Sequence, residues 1–438
     1  MRKHADRRES LHVSTARKHA LQIFRAALAA ADPQEAVLRH LKFDGRTLTA
    51  GRRKYSLKKF DRIQVLGAGK ASAAMARAVE RLLGRRIASG WINVKDGHTA
   101  HLRRIHQQEC GHPVPDQRGV EGARRMEEIA REAGPRNLLI CLISGGASAL
   151  TPAPVPPMTF FDKQELTRKL LASGATIHEI NTVRKHLSSF KGGQLAKLAY
   201  PATVIALILS DVIGDDLDVI GSGPTVGDRA TVADARAVLE KYGITQSVEF
   251  HETPKPGDPA LERVQNIIIG SNEQAIDAAA RQAKALGYRT MVLSTRIEGE
   301  TRDVAVVHAA IAKEILATGR PLRAPACVLS GGETTVTIRG SGMGGRNQEF
   351  VLAAAIALDG AGAVTVLSAG TDGTDGPTDA AGAMGDSSTV SRARGMGLDA
   401  GEFLVNNDSY HFFEKVEGLI KTGPTGTNVM DVRVVLVG

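Results

Sequence analysis

Cysteine is scarce in this chain, with three in 438 residues (Cys110, Cys141 and Cys327) and no metal-ligand spacing among them. Two lie in or beside apolar stretches. They read as reduced core thiols, which argues against a disulfide framework and for a cytoplasmic setting. Aromatic residues reach only 4%, too few to furnish base-stacking platforms for nucleic acid. No apolar run approaches the ~20 residues that a membrane span requires. The charged first residues have no apolar stretch behind them, so a secretory leader is not expected. Acidic residues are outnumbered, and the net charge is +9. Met1–Arg25 alone carries seven Lys/Arg against two Asp/Glu, hence +5, leaving +4 over the other 413 residues. That distribution reads as a solvated basic tail on a protein whose modest remaining excess suits small anionic ligands.

Glycine is plentiful, at 46 residues, and its placement is informative. The length predicts two domains. Strands and helices alternate along the chain, which predicts α/β domains with mostly parallel sheets. A helical stripe at Leu21, Phe24 and Leu28 places a helix over 16–31, ended by Asp32-Pro33. The strand Ile63–Leu66 runs into Gly67-Ala-Gly69-Lys70 and then a helix, the phosphate-facing unit of open α/β sheets. Met75 and Ala76 stand where a dinucleotide fingerprint needs its third glycine. Lys70 sits at a helix mouth, where a cation opposes the helix dipole unless an anion lies between them. A second apolar strand, Leu138–Ile143, ends in Ser144-Gly145-Gly146-Ala147-Ser148. A third, Ala202–Leu209, ends in Ser210-Asp211, and Asp215, Asp216 and Asp218 follow as turn and cap residues. A carboxylate at a strand end suits Mg²⁺ or a substrate proton, and Asp211 is the best placed. His112 reads as a turn residue. Helices are predicted over 162–172 and 176–198, the latter carrying Arg184, Lys185 and His186.

Glu252–Pro259, with three prolines in eight residues, is the predicted linker. Beyond it, the strand Ala326–Leu329 delivers two glycines and Glu333. A strand over 334–338 is expected next. Then Gly340-Ser-Gly342-Met-Gly344-Gly345 opens into a helix at Arg346. Bare amides in such a loop bind anions, and the Arg346 fork fits a phosphate or carboxylate. After the strand Val364–Ser368 comes an acidic loop with Asp372, Asp375 and Asp379, and Val432–Val437 closes the chain as a strand.

Taken in series, Gly67–Ala71, Ser144–Leu150, Asn181–Ser188, Ser210–Asp216, Gly221–Thr225, Ser330–Thr334, Gly344–Glu349 and Gly370–Gly376 resemble the class II glycerate kinases of the MOFRL type. The likeness runs from about residue 17 to the C-terminus. Ala147 departs from it where the family often has a third glycine. The resemblance implies a Rossmann-like αβα N-terminal domain (17–258, after a 1–16 tail) and a smaller α/β C-terminal domain (259–438), with the active site in the cleft between them. It implies ATP-dependent phosphorylation of D-glycerate, at the 2-hydroxyl in most members, with Lys70 and Arg346 essential. Asp211 is expected to serve catalysis or Mg²⁺. Gly67, Gly69, Ser144, Gly145, Gly146, Ser148, Gly342, Gly344, Gly345 and Asn347 are expected around ATP, and Glu333, Asp372 and Asp375 are further metal candidates. The expected partners are D-glycerate and ATP, without nucleic acid or membrane; a homo-oligomer is left open. The competing activities are an NAD(P)H-dependent hydroxypyruvate reductase and a non-catalytic sensor of sugar acids or nucleotides.

Overall fold

In the computed structural model, residues 2–438 are described, with side chains from residue 15 onward. The chain forms two compact units, one continuous over Pro33–Ile269 and one assembled from Met1–Asp32 and Gly270–Gly438. We call them the inserted and the discontinuous unit. This differs from the expected division at both ends. The first helix runs over Arg2–Ala30 and buries Ala20, Ile23, Phe24 and Ala27, one face at helical spacing. That face packs on the helix Asn272–Ala285 and on the last sheet, not on the domain that follows it in sequence. Arg17 adds a 3.0 Å ion pair with Asp386. The side chains of residues 1–14, most of the expected solvated tail, lie outside the described residues.

The inserted unit begins with a three-stranded antiparallel sheet, β1 (Leu41–Phe43), β2 (Thr47–Ala50) and β3 (Arg53–Ser56). Its main sheet contains β4 (Arg62–Ala68), β5 (Ile87–Lys95), β6 (His106–Cys110), β7 (Asn137–Ile143), β8 (Thr203–Leu209) and β9 (Val264–Gly270), in the order β6-β5-β4-β7-β8-β9. The pairs β4–β5, β5–β6, β4–β7 and β7–β8 are parallel. Strand β8 is buried throughout, as its unbroken apolar run dictates for a sheet covered on both faces. The predicted linker lies within this unit, because β9 follows it. Lys255 there pairs with Glu252, and Thr253 donates to Asp228. The helix expected over 176–198 is two, Ile177–His186 and Gln194–Ala199. Gly192 and Gly193, both left-handed, turn the chain between them.

The discontinuous unit has β10 (Arg289–Ile297), β11 (Ala326–Gly332), β12 (Val364–Gly370), β13 (Gly382–Asp386), β14 (Leu419–Ile420) and β15 (Asp431–Val437), ordered β10-β11-β15-β12-β13-β14. Only β10–β11 is parallel. The expectation of mostly parallel strands therefore fails here, because the last strand of the chain inserts antiparallel between β11 and β12. Val328, Val366 and Val435 meet Phe350, Leu352, Phe412 and Phe413 in its core. No strand forms over 334–338. Thr335 makes one isolated bridge to Glu300, the Thr337 amide donates to the Glu300 carboxylate, and Ile338 is 79% exposed. Among the described residues no helix is long and apolar enough to cross a membrane. All three cysteines are free and buried, and burial pushes each thiol up to about 12.

Candidate functional site

In the main sheet of the inserted unit the chain winds outward in one direction through β5 and β6 and in the other through β7 and β8. The carboxyl ends of β4 and β7, paired at Ala68 and Ile143, are therefore a topological switch point, where open α/β sheets bind ligands. The two expected glycine turns lie there and interlock. The Lys70 amide donates to Gly145 O at 2.9 Å, Ser144 N to Ala68 O at 3.1 Å, and Ala71 N to Ser144 Oγ at 3.0 Å. Gly69 has φ +135°, and a Cβ there would come within 2.1 Å of Ser144 Oγ; only glycine fits. A Cβ on Gly145 would meet Asp211 Oδ2 at 2.2 Å, and one on Gly146 would meet His112 Nε2 at 2.9 Å and Lys70 Cγ at 3.6 Å. Lys70, Ser144–Ser148 and Asp211 thus converge on one patch. His112, expected as a plain turn residue, joins them. Burial and then Lys70 push its imidazole down to about 4, so it is neutral near pH 7.

Ser148 is ringed by cations. Its hydroxyl accepts from Arg184 Nη2 and Lys191 Nζ, each at 2.9 Å, and lies 2.9 Å from Ser222 Oγ. Of the three adjacent polar residues, Lys185 turns to Asp218 and Asp228, at 3.0 and 3.3 Å, and His186 to Glu252. Only Arg184 belongs to the patch, as the 100° helical step requires.

The discontinuous unit gathers a second set around Asp431, which the sequence reading passed over by starting its strand at Val432. Asp431 opens β15 and pairs with Gly332 and Gly370, the last residues of β11 and β12. It is fully buried. Its oxygens accept from Arg346 Nε (2.7 Å) and Nη2 (3.0 Å), from Asn347 Nδ2 (2.9 Å) and from Arg433 Nη2 (3.3 Å). The Arg346 fork, read from sequence as open to a ligand, is thus held by a carboxylate, and Nη2 also reaches Glu333 at 3.0 Å. Burial opposes the charge on Arg346, but Asp431 and then Glu333 outweigh it and raise its pKa. The available signal was a pair of opposite charges, Asp431 and Arg433, at alternate positions of a strand that is otherwise apolar.

Asp375, expected as a metal candidate, caps a helix. It accepts from the amides of Asn347 (3.0 Å) and Gln348 (2.8 Å), the first turn of the helix Arg346–Ala357. A Cβ on Gly345 would strike its Cγ at 2.3 Å. The amides of the glycine loop are partly committed too. Gly342 N donates to Asn406 O, Met343 N to Asp408 Oδ1, and Arg339 N and Gly340 N to Asn407 Oδ1. Gly342 is therefore not a free phosphate donor. Asp372 accepts from Thr374 N and Oγ1. Among the described residues no three His, Cys, Asp or Glu side chains gather as a metal site.

A doubly wound parallel sheet with glycine turns and a lysine at its switch point, followed by a mixed sheet built around an Arg–Asp pair, defines a two-domain α/β phosphotransferase-type architecture. Residues 19–251 match a domain of unknown function, DUF4147, and residues 326–431 match the MOFRL family. The D-glycerate 2-kinase of Thermotoga maritima is 45% identical over 383 residues, covering 86% of this chain and 91% of that protein. A protein of Agrobacterium vitis named putative hydroxypyruvate reductase is 42% identical, covering 97% and 95%. The crystal structure of glycerate kinase from Thermotoga maritima superposes with a TM-score of 0.89 at 41% identity, covering 97% of this chain and all of that one. The chain belongs to the class II glycerate kinase family.

Proposed function

We infer that this protein is a cytoplasmic glycerate 2-kinase, transferring the γ-phosphoryl group of ATP to the 2-hydroxyl of D-glycerate to give 2-phosphoglycerate and ADP. The observation that carries the reading is that Lys70 and Asp211 both approach the Gly145-Gly146 turn at the β4/β7 switch point. Phosphoryl transfer needs positioning and charge neutralisation more than covalent help. Lys70 supplies a cation for the transferring phosphoryl oxygens. Arg346 presents a guanidinium that Asp431 holds through Nε and Nη2, and its role in this reading is to bind a substrate anion. Mg²⁺ usually takes one or two carboxylates and completes its shell with phosphate and water. Asp211, at a strand end on Gly145, fits that demand; bound there, the ion would neutralise phosphate charge.

The reductase name carried by relatives from Agrobacterium vitis has a structural counterargument. Asp96, the acid just past β5, where a dinucleotide ribose would be held, is gripped by both ends of the Arg118 guanidinium at 2.8 and 2.9 Å. Parallel assays decide between the readings. D-glycerate, ATP and Mg²⁺ should release ADP, and EDTA should abolish that release. Oxidation of NADH by hydroxypyruvate without glycerate-dependent ADP release would overturn the kinase reading.

A further inference from the structure

The inserted unit holds a cavity of about 660 Å³ that opens beside Gly146 and Ser148. Its inner end is cationic. Lys191 is fully buried and Lys163 is 6% exposed. Lys191 Nζ donates to the carbonyl and hydroxyl of Ser148, Arg184 shares that hydroxyl, and Lys163 Nζ donates to Leu187 O at 2.6 Å. Among the described residues none of the three cations forms an ion pair. Glu127, which acts favourably on Lys163, is bound by Arg131 and Ser189. Burial, and then Arg184, pushes both lysines well below their usual range. Like charges buried without a counter-ion are costly. An anion entering the cavity would remove that cost.

The outer wall has a different chemistry. Val114, Pro115, Phe160 and Leu171 line it with carbon, and Val114 and Leu171 are 69% and 63% exposed. Glycerate is small and has no apolar face to set against such a wall. Cavities of roughly 300–1,000 Å³ with apolar walls and a few convergent polar groups enclose larger organic ligands. A nucleotide has both parts, a flat base and a polyanionic tail. We propose that this cavity is the nucleotide subsite, with the phosphates drawn to Lys191, Arg184 and Ser148 and the base lying against Phe160, Val114 and Leu171. Lys70, whose Cγ lies near Gly146 at the edge of the cavity, then stands at the phosphate end. The assignment rests on the kinase reading and says which substrate the inserted unit takes.

The test titrates the full-length protein with ATP carrying a fluorescent ribose label, and measures the glycerate KM beside it. Leu171→Glu puts a charge on the exposed apolar rim, and Arg184→Met removes a cation from the inner end. Each should weaken nucleotide binding about tenfold or more, the scale on which one charged hydrogen bond matters, and leave the glycerate KM within about twofold. Should Arg184→Met fail to fold, Leu171→Glu decides alone. Unchanged nucleotide affinity in a folded variant overturns the assignment, and a rise confined to the glycerate KM would give the cavity to glycerate. Wild-type protein that binds the nucleotide but never phosphorylates glycerate would sink the kinase reading while leaving the subsite standing.

Discussion

At the scale of single residues, Arg346 offers the sharpest test. Two parallel N–H donors meet both oxygens of the buried Asp431, a geometry that an ammonium on a flexible stem does not reproduce. Arg346→Lys should keep the charge and lose about 10²–10³ in kcat, or ~3–4 kcal/mol, while near-UV circular dichroism stays native. Wild-type turnover in the Lys variant would remove Arg346 from the chemistry. His308 tests the same unit through pH. It donates from Nδ1 to Val304 O, pairs through Nε2 with Ser330 Oγ at 2.8 Å, and burial pushes it down to about 4. A folded-state pKa below the unfolded ~6.5 means that the unfolded chain binds the extra proton first. Its contribution is then fully present above pH ~6.5 and lost as pH falls towards 4, on the order of 3 kcal/mol in all. Urea midpoints measured from pH 7 to pH 4 should fall, and His308→Gln should flatten the slope. An equal slope in the variant would assign it elsewhere.

Legibility at this scale was uneven for a physical reason. Lys70 and Arg346 could be read because a charge set among glycines at a helix mouth conflicts with local preference. Asp431 and His112 make no such conflict within their own segments. Their meaning comes from β11, β12 and the Gly146 turn, which are distant in sequence.

At the scale of elements, the glycine loop ahead of Arg346 is held by the segment Asn406–Asp408, with Asn407 taking two of its amides. Asn407, itself left-handed at φ 53°, accepts two loop amides at 2.8 and 3.0 Å and donates to Glu349 at 2.9 Å. Asn407→Ala strands those partners and should cost about 2–3 kcal/mol, read as a lower denaturant midpoint with an unchanged m-value. A shift below ~0.5 kcal/mol would show that the loop holds itself. Strands with long apolar runs, such as β7 and β8, were legible because burial on both faces leaves a one-dimensional signature. The run 334–338 has the β-branched composition of a strand but not its place. Glu300 takes up its amide at Thr337, so the ladder has no role there.

At the scale of the molecule, the first helix belongs to the discontinuous unit. Deleting Met1–Ala16 spares the Arg17 pair and the buried Ile23 and Phe24, so turnover should stay within about twofold, less than ~0.5 kcal/mol of barrier. Phe24→Ala should instead cost about 3–5 kcal/mol, and hydrogen exchange should report the weakening in 270–438 rather than in 33–269. Reduced protection confined to 33–269 would contradict the packing of that helix. The division escaped sequence reading because an amphipathic stripe shows that a helix has a buried face, not which later segment covers it.

That arrangement imposes an order on synthesis. The ribosome makes the first helix and then the whole inserted unit before any of Gly270–Gly438 exists. At typical elongation speeds the helix waits on the order of tens of seconds for its cover. Through that interval Ile23 and Phe24 form a bare greasy stripe on a nascent chain whose middle can already be folded. This window is where a holdase would bind, and where slowed translation beyond residue 270 would most lower the yield of native protein.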